Sequence, residues 1–162
     1  MPERGALGPS RASRTVLAFD FGRRRIGVAV GEDGVGTAGA LPALRGDLPG
    51  PDWHAITALI ERWQPQVLLV GRPVALDGKP TWMTELAAAF ARELGQRFRL
   101  VVEQVDERLT SREARAELTE QRAQGLRRRR LRKSDVDSHA AQLILRSWME
   151  ERANSQRRAR LG

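Results

Sequence analysis

The sequence contains no cysteine among its 162 residues. Disulfide bonds, thiolate nucleophiles and zinc–thiolate centres are therefore excluded, and a reducing, cytoplasmic setting is the natural expectation. Long apolar runs are missing too, since no stretch approaches the roughly 20 apolar residues that span a bilayer. Residues 1–14 have no apolar run behind their arginines, so we expect neither a secretory signal nor a membrane partner.

Lysine is also scarce, because only Lys79 and Lys133 occur among 28 basic residues, while the formal net charge is +8. The positive charge is concentrated in residues 1–14, 122–133 and 152–162, and the rest of the chain is net acidic. Basic segments of this kind neutralise phosphates, which favours a nucleic-acid partner. A general preference for arginine, or solubilising tails, would explain the same composition without such a partner.

The length fits one domain with a substantial hydrophobic core. We predict a flexible basic N-terminal tail at 1–14, a folded domain at 15–151 and a basic C-terminal tail at 152–162. The element order βββ-α-β-α-β-α-α predicts an α/β fold with three layers around a mixed five-stranded sheet. The tryptophans suit either the core or an interface, and the core is favoured; they are Trp53, Trp63, Trp82 and Trp148.

Hydrophobic periodicity gives the approximate bounds of each element. The predicted strands are Thr15–Phe21, Arg25–Gly31, Thr37–Leu44, Val67–Val70 and Phe98–Val105. The predicted helices run from a cap at Asp52 to Trp63, from a cap at Thr81 or Thr84 to Gly95, over Thr110–Arg122, and from Ser134 to about Arg152.

Three acidic residues lie at or near the ends of predicted strands and helices, where their carboxylates could take part in catalysis. Asp20 lies near the end of an apolar strand, Glu107 follows another strand beside Asp106, and Asp137 lies in the first turn of the last helix. Taking a carboxylate out of water is costly unless a cation is bound to it. Magnesium prefers oxygen ligands, and a pair of such ions can assist phosphodiester hydrolysis.

Each acid also has a structural explanation. Asp20 could form a turn before Gly22, Glu107 could pair with Arg108, and Asp137 completes a capping-box pattern that begins at Ser134. Spacing alone does not choose between these roles. A helix N-terminus favours a nearby acid, so capping and metal binding are compatible at Asp137.

Four blocks, in order, resemble the YqgF/RuvX family over about residues 15–150. They are Leu17–Val30 (LAFDFGRRRIGVAV), Val70–Gly78 (VGRPVALDG), Val105–Thr110 (VDERLT) and Arg132–Leu145 (RKSDVDSHAAQLIL). The family loop usually reads Gly-Leu-Pro-Leu-Asn-x-Asp-Gly. Arg72 and Ala75 depart from it here, which would alter substrate preference if the loop touches substrate.

The resemblance implies an RNase H-like fold and a nuclease that matures the 5′ end of 16S ribosomal RNA from its precursor, or that resolves Holliday junctions. It implies that Asp20, Glu107 and Asp137 are catalytic and bind Mg²⁺ or Mn²⁺, with Asp106 as a substitute for Glu107. Candidate phosphate contacts are Arg25, Arg108, Arg127, Arg128, Arg129, Arg130, Arg132 and Lys133. For Arg25 and Arg108 an ion pair is an equal alternative.

Expected partners are RNA or branched DNA, and precursor ribosomal particles; a monomer and a homodimer both remain open. Two other functions fit parts of the same sequence. Asp20-Phe-Gly22 between two strands also resembles the phosphate hairpin of actin-like ATPases, although 162 residues leave no room for their second domain. A non-catalytic RNA-binding assembly factor would use the acids only structurally.

Overall fold

A computed structural model describes residues 14–47, 49–107, 120 and 138–161. The strands in these residues are β1 (Thr15–Phe21), β2 (Arg25–Glu32), β3 (Thr37–Arg45), β4 (Val67–Arg72) and β5 (Val101–Asp106). The helices are α1 (Trp53–Trp63), α2 (Trp82–Phe98) and α3 (His139–Leu161). In this part of the chain, no helix combines the length and the apolar composition needed to cross a membrane.

The strands form one mixed sheet in the order β3-β2-β1-β4-β5. The first three strands pair antiparallel, whereas β4 and β5 run parallel to β1. Parallel neighbours need a crossover connection, and α1 and α2 lie in the chain where these crossovers occur. The predicted mixed five-stranded sheet is confirmed.

Helices cover both faces of the sheet, which gives the three predicted layers. Leu17 and Phe19 of β1 belong to a core shared with α1 and α2. Val16 and Ala18 point the other way, into a second core shared with α3. Because β1 and β4 are buried on both faces, they read as continuous apolar runs rather than as alternating ones.

The N-terminal caps of α1 and α2 are confirmed. The Asp52 side chain accepts a hydrogen bond from the Ala55 N–H at 3.1 Å. Thr81 caps α2 in a capping box with Thr84, so the two alternatives act together. The predicted end at Gly95 is wrong, because α2 continues to Phe98 and Arg99 takes the left-handed conformation. Gly95 contributes its carbonyl to the closing bond from the Arg99 N–H instead.

The end of the last helix was also predicted too early. α3 continues from about Arg152 to Leu161, because the basic residues there are good helix formers. Trp82 departs from the predicted core role, since 62% of it is exposed. Residues 1–13, the predicted helix Thr110–Arg122 except Glu120, and the whole basic loop that follows it lie outside the described residues.

A buried serine fixes the start of α3 on the sheet. Ser138 is fully buried, and its hydroxyl accepts a hydrogen bond from the Val28 N–H at 3.0 Å and donates one to the Leu41 carbonyl at 2.5 Å. The register of β2 against β3 is irregular between Ile26 and Val28. The hydroxyl thus satisfies backbone groups beside this irregularity.

We expect Ser138→Ala to lower the free energy of unfolding by about 1–3 kcal/mol, because it leaves a buried donor and acceptor without a partner. Chemical denaturation measures the change. Thr57→Ala is the control, since the Thr57 hydroxyl only adds a bond to the Trp53 carbonyl inside α1 and its loss should cost about 0.5 kcal/mol or less. Equal losses in the two variants would contradict the anchoring role of Ser138.

Candidate active site

Two of the predicted acids come to the same edge of the sheet. Asp20 is the penultimate residue of β1, and Glu107 directly follows β5. Between these parallel strands lies β4, whose Gly71 pairs with Val105 in the ladder. Since neighbouring strands lie about 4.8 Å apart, Asp20 and Glu107 flank Gly71 across roughly two strand spacings.

The missing side chain at Gly71 makes room for Glu107. A Cβ at position 71 would lie 3.2 Å from the Glu107 Cγ, 3.3 Å from its Cδ and 2.5 Å from the Ile144 Cδ1. The Glu107 carboxyl group therefore crosses β4 on the side that α3 covers. Asp20 is on the same side by strand alternation, because Val16 and Ala18 of β1 pack toward α3.

Burial and like charges act together on Glu107. They raise its pKa from the ordinary 4.5 to about 7; burial is the largest cause, followed by the negative charge of Asp20 and then that of Asp106. The charged form is disfavoured because it loses water and faces two other acids. A perturbed carboxyl group at a strand end is typical of functional sites.

The Asp106 side chain is directed to the opposite face of the sheet from that of Glu107. Val105 packs in the α3-side core and Gln104 lines a groove beside α2. Alternation therefore directs Asp106 toward α2, away from the Glu107 carboxyl group. Asp106 is paired in register with Arg72 in the parallel ladder of β4 and β5. The departure from the family loop at Arg72 thus lies beside Asp106.

The remaining predicted residues divide into two groups. Arg25 is exposed and is the first residue of β2, where it pairs in register with Arg45. Asp137, Arg108, Arg127–Arg130, Arg132 and Lys133 lie outside the described residues. Among the residues that are described, no group of three or more His, Cys, Asp or Glu side chains could hold a metal ion. The predicted metal-binding triad of Asp20, Glu107 and Asp137 therefore stays a prediction.

Sequence analysis missed the roles of Gly71 and Ser138. Gly71 was only one letter of a motif, although a glycine inside an apolar strand can signal a close approach. Ser138 was part of the resemblance without a role of its own. No local signal identifies its buried hydrogen bonds, because its partners Val28 and Leu41 are distant in sequence.

Comparisons with known proteins agree on one family. Residues 14–151 match the sequence profile described as RuvX, Holliday junction resolvase. A relative from Histophilus somni (strain 2336) is 46% identical over 141 residues, covering 87% of this chain and 97% of the relative. One from Yersinia pestis (strain Pestoides F) is 42% identical over 142 residues, covering 88% and 99%. Both are named as proposed pre-16S rRNA nucleases.

Solved structures confirm the RNase H-like fold. RuvC of Thermus thermophilus, determined in complex with a Holliday junction substrate, superposes with a TM-score of 0.56 at 13% identity, covering 86% of this chain and 96% of that one. The yeast mitochondrial Holliday junction resolvase Ydc2 gives 0.54 at 14% identity, covering 93% and 83%. At such identities the likeness concerns the fold alone.

The raised pKa of Glu107 predicts how stability depends on pH in the absence of divalent cations. Since the folded state binds this proton more tightly than the unfolded chain, the stabilisation is complete below about pH 4.5 and is lost as the pH rises through about 7. Glu107→Gln mimics the neutral form of the side chain. As the pH rises across this window, we expect its free energy of unfolding to fall less than that of the parent protein. Denaturation at several pH values in a chelator measures it.

Glu61→Gln removes an exposed carboxylate from α1 and controls for the change in net charge. Parallel stability curves for the parent and Glu107→Gln would contradict the proposed environment of Glu107.

Proposed function

The chain belongs to the RuvX Holliday junction resolvase family, and on that premise we propose that it is a metal-dependent nuclease that processes the 5′ end of precursor 16S ribosomal RNA. Membership makes it a hydrolase of phosphodiester bonds. The metal, the substrate and the catalytic residues are the parts that we propose. The observation that carries them is the Glu107 carboxyl group lying over Gly71 on the Asp20 side of the sheet.

The donor set fits a hard divalent cation. Asp20 and Glu107 offer only oxygen atoms, which Mg²⁺ and Mn²⁺ prefer to nitrogen or sulfur. A cation between them would offset the burial and repulsion that raise the pKa of Glu107. Such ions, when bound, polarise the scissile phosphate and lower the pKa of water. Asp106 stays an alternative ligand, although strand alternation directs it toward α2.

We propose Asp137 as the third carboxylate. It directly precedes Ser138, and consecutive Cα atoms are 3.8 Å apart across a trans peptide. Ser138 is bonded to Val28, which pairs with Phe19, the residue before Asp20. Covalent geometry therefore supports a position for Asp137 near the β1 carboxylate.

The carboxylates of the protein would hold the cation, and its basic side chains would position the substrate backbone. Asp20, Glu107 and Asp137 would hold the cation, and Gly71 leaves the space that Glu107 needs. Arg25, which is exposed at the start of β2, would contact substrate phosphates at this edge of the sheet. We propose the same role for Arg108, Arg127–Arg130, Arg132 and Lys133, because basic clusters supply salt-dependent affinity for the backbone.

Branched DNA is the second candidate substrate. The family description and the fold of two solved resolvases favour it, and the same carboxylates would serve either backbone. Parallel assays on precursor 16S ribosomal RNA and on a four-way DNA junction, each with and without Mn²⁺, distinguish the two. Metal-independent binding of RNA without any cleavage would instead identify a non-catalytic assembly factor.

Asp20→Asn should lower the cleavage rate by more than about 100-fold, because loss of a direct ligand exceeds the effect of losing an outer-shell partner. Binding of the uncleaved substrate and the thermal unfolding curve should change little. Gel-based cleavage and mobility-shift assays measure the two properties separately. Glu61→Gln controls for loss of one carboxylate, and cleavage by Asp20→Asn at the parent rate would remove the proposed mechanism.

Gly71→Ala should also impair cleavage, since its Cβ would press on both Glu107 and Ile144. Gly95→Ala is the matched control because a Cβ there would lie 3.5 Å from the Val102 Cγ2 of β5 and 3.8 Å from the Leu100 carbonyl oxygen, both ordinary contacts. Alanine in a helix interior is favoured by about 0.5–1 kcal/mol, so this control should be stable and active. Undiminished, metal-dependent cleavage by Gly71→Ala would show that the Glu107 position is unimportant.

A further inference from the structure

One of the four tryptophans, Trp82, is exposed on the surface. Trp82 is 62% exposed, whereas Trp148 is buried and Trp53 and Trp63 pack partly buried against the core. Trp82 is the first residue of α2. The guanidinium carbon of Arg23, in the turn between β1 and β2, lies 5.3 Å from the centre of its ring.

This pair sits at the catalytic edge of the sheet. Arg23 follows Asp20 by three residues, so their Cα atoms are at most about 11 Å apart. The Thr84 hydroxyl in the first turn of α2 donates a hydrogen bond to the Pro73 carbonyl, directly after β4. Trp82 is thereby tied to the end of the strand whose Gly71 leaves space for the Glu107 side chain.

We propose that Trp82, held by Arg23, is a stacking platform for one unpaired nucleobase of the substrate next to the scissile bond. Every nucleobase has a flat π-face, and exposed aromatic rings beside arginines bind single strands in this way. Arg24 and Arg25, both exposed, stand in the same turn and strand to neutralise the adjoining phosphates. A fully paired duplex offers no free base face, so the platform selects for unpaired segments or branch points.

The same residue types also make purely structural pairs in this protein. The Arg62 guanidinium carbon lies 5.5 Å from the ring centre of Trp63, at the end of α1 that precedes β4. That pair is at the opposite edge of the sheet from Asp20, and Trp63 packs against the core. Exposure and position, rather than the pair itself, distinguish the Trp82 platform.

This inference rests on the proposed function, and its test separates binding from cleavage. Dissociation constants are measured for fluorescent single-stranded oligonucleotides of one sequence, as RNA and as DNA, and for their fully paired duplexes. Trp82→Leu should weaken single-strand binding by about 5- to 150-fold and duplex binding less than about 2-fold. Trp82→Phe, which keeps a ring, should retain most of the affinity. Trp63→Leu is the matched control and should resemble the parent.

A single abasic site, moved along the oligonucleotide, tests stacking directly. An abasic site at one position should weaken binding to the parent protein. The same abasic site should not weaken binding to Trp82→Leu further, because the ring that stacks on the missing base is already absent from that variant. The RNA and DNA arms show which backbone the platform accepts. An abasic penalty of equal size in both proteins, or parent-like binding by Trp82→Leu, would overturn the platform.

The other outcomes assign failure to one proposal or the other. A parent protein that shows the Trp82-dependent penalty but never cleaves would support the platform and refute the nuclease. Normal cleavage with no effect of Trp82→Leu would support the nuclease and refute the platform. A parent that binds neither single strand would refute the platform, and the cleavage assays would still decide the nuclease.

Discussion

Asp20 and Glu107 must be held together although their negative charges repel and partial burial disfavours ionisation. The hydrogen-bonded parallel ladder β1-β4-β5 supplies the restraint, since it brings the ends of β1 and β5 to one edge with a single strand between them. Gly71 then admits the Glu107 carboxyl group above that strand. Burial and the negative charges of Asp20 and Asp106 raise the pKa of Glu107, so the site opposes a second free negative charge.

The scaffold resists this repulsion because α3 is fastened at several points. Ser138 bonds its start to β2 and β3. Farther along, Arg152 bonds Asp33 at 3.0 Å, and Arg14 reaches the same carboxylate at 3.4 Å. Both guanidinium groups also lie over the Trp148 ring. Because α3 is held in this way, Ile144 stays close to Gly71 and bounds the space that the Glu107 side chain occupies.

Much of the site could be predicted because its signals are local. An aspartate near the end of an apolar strand and a glutamate that follows another strand are both visible in the sequence, and the ladder brings these two strand ends to one edge of the sheet. The predictions were wrong where tertiary contacts overrode a local sequence rule. Gly95 lies inside α2 rather than at its end, and Trp82 is exposed because its ring lies beside Arg23 above the sheet edge.

The sequence by itself determined the order of strands and helices, the mixed sheet and the chemical character of the site, because periodicity and residue type act over a few neighbouring residues. Only the tertiary structure decided that Glu107 rather than Asp106 crosses β4, that Ser138 anchors α3, and that Trp82 faces solvent. Those outcomes depend on register and on which face each side chain takes once distant strands pair. A register shift of one residue would turn the side chains of a strand, and those directly after it, to the opposite face of the sheet.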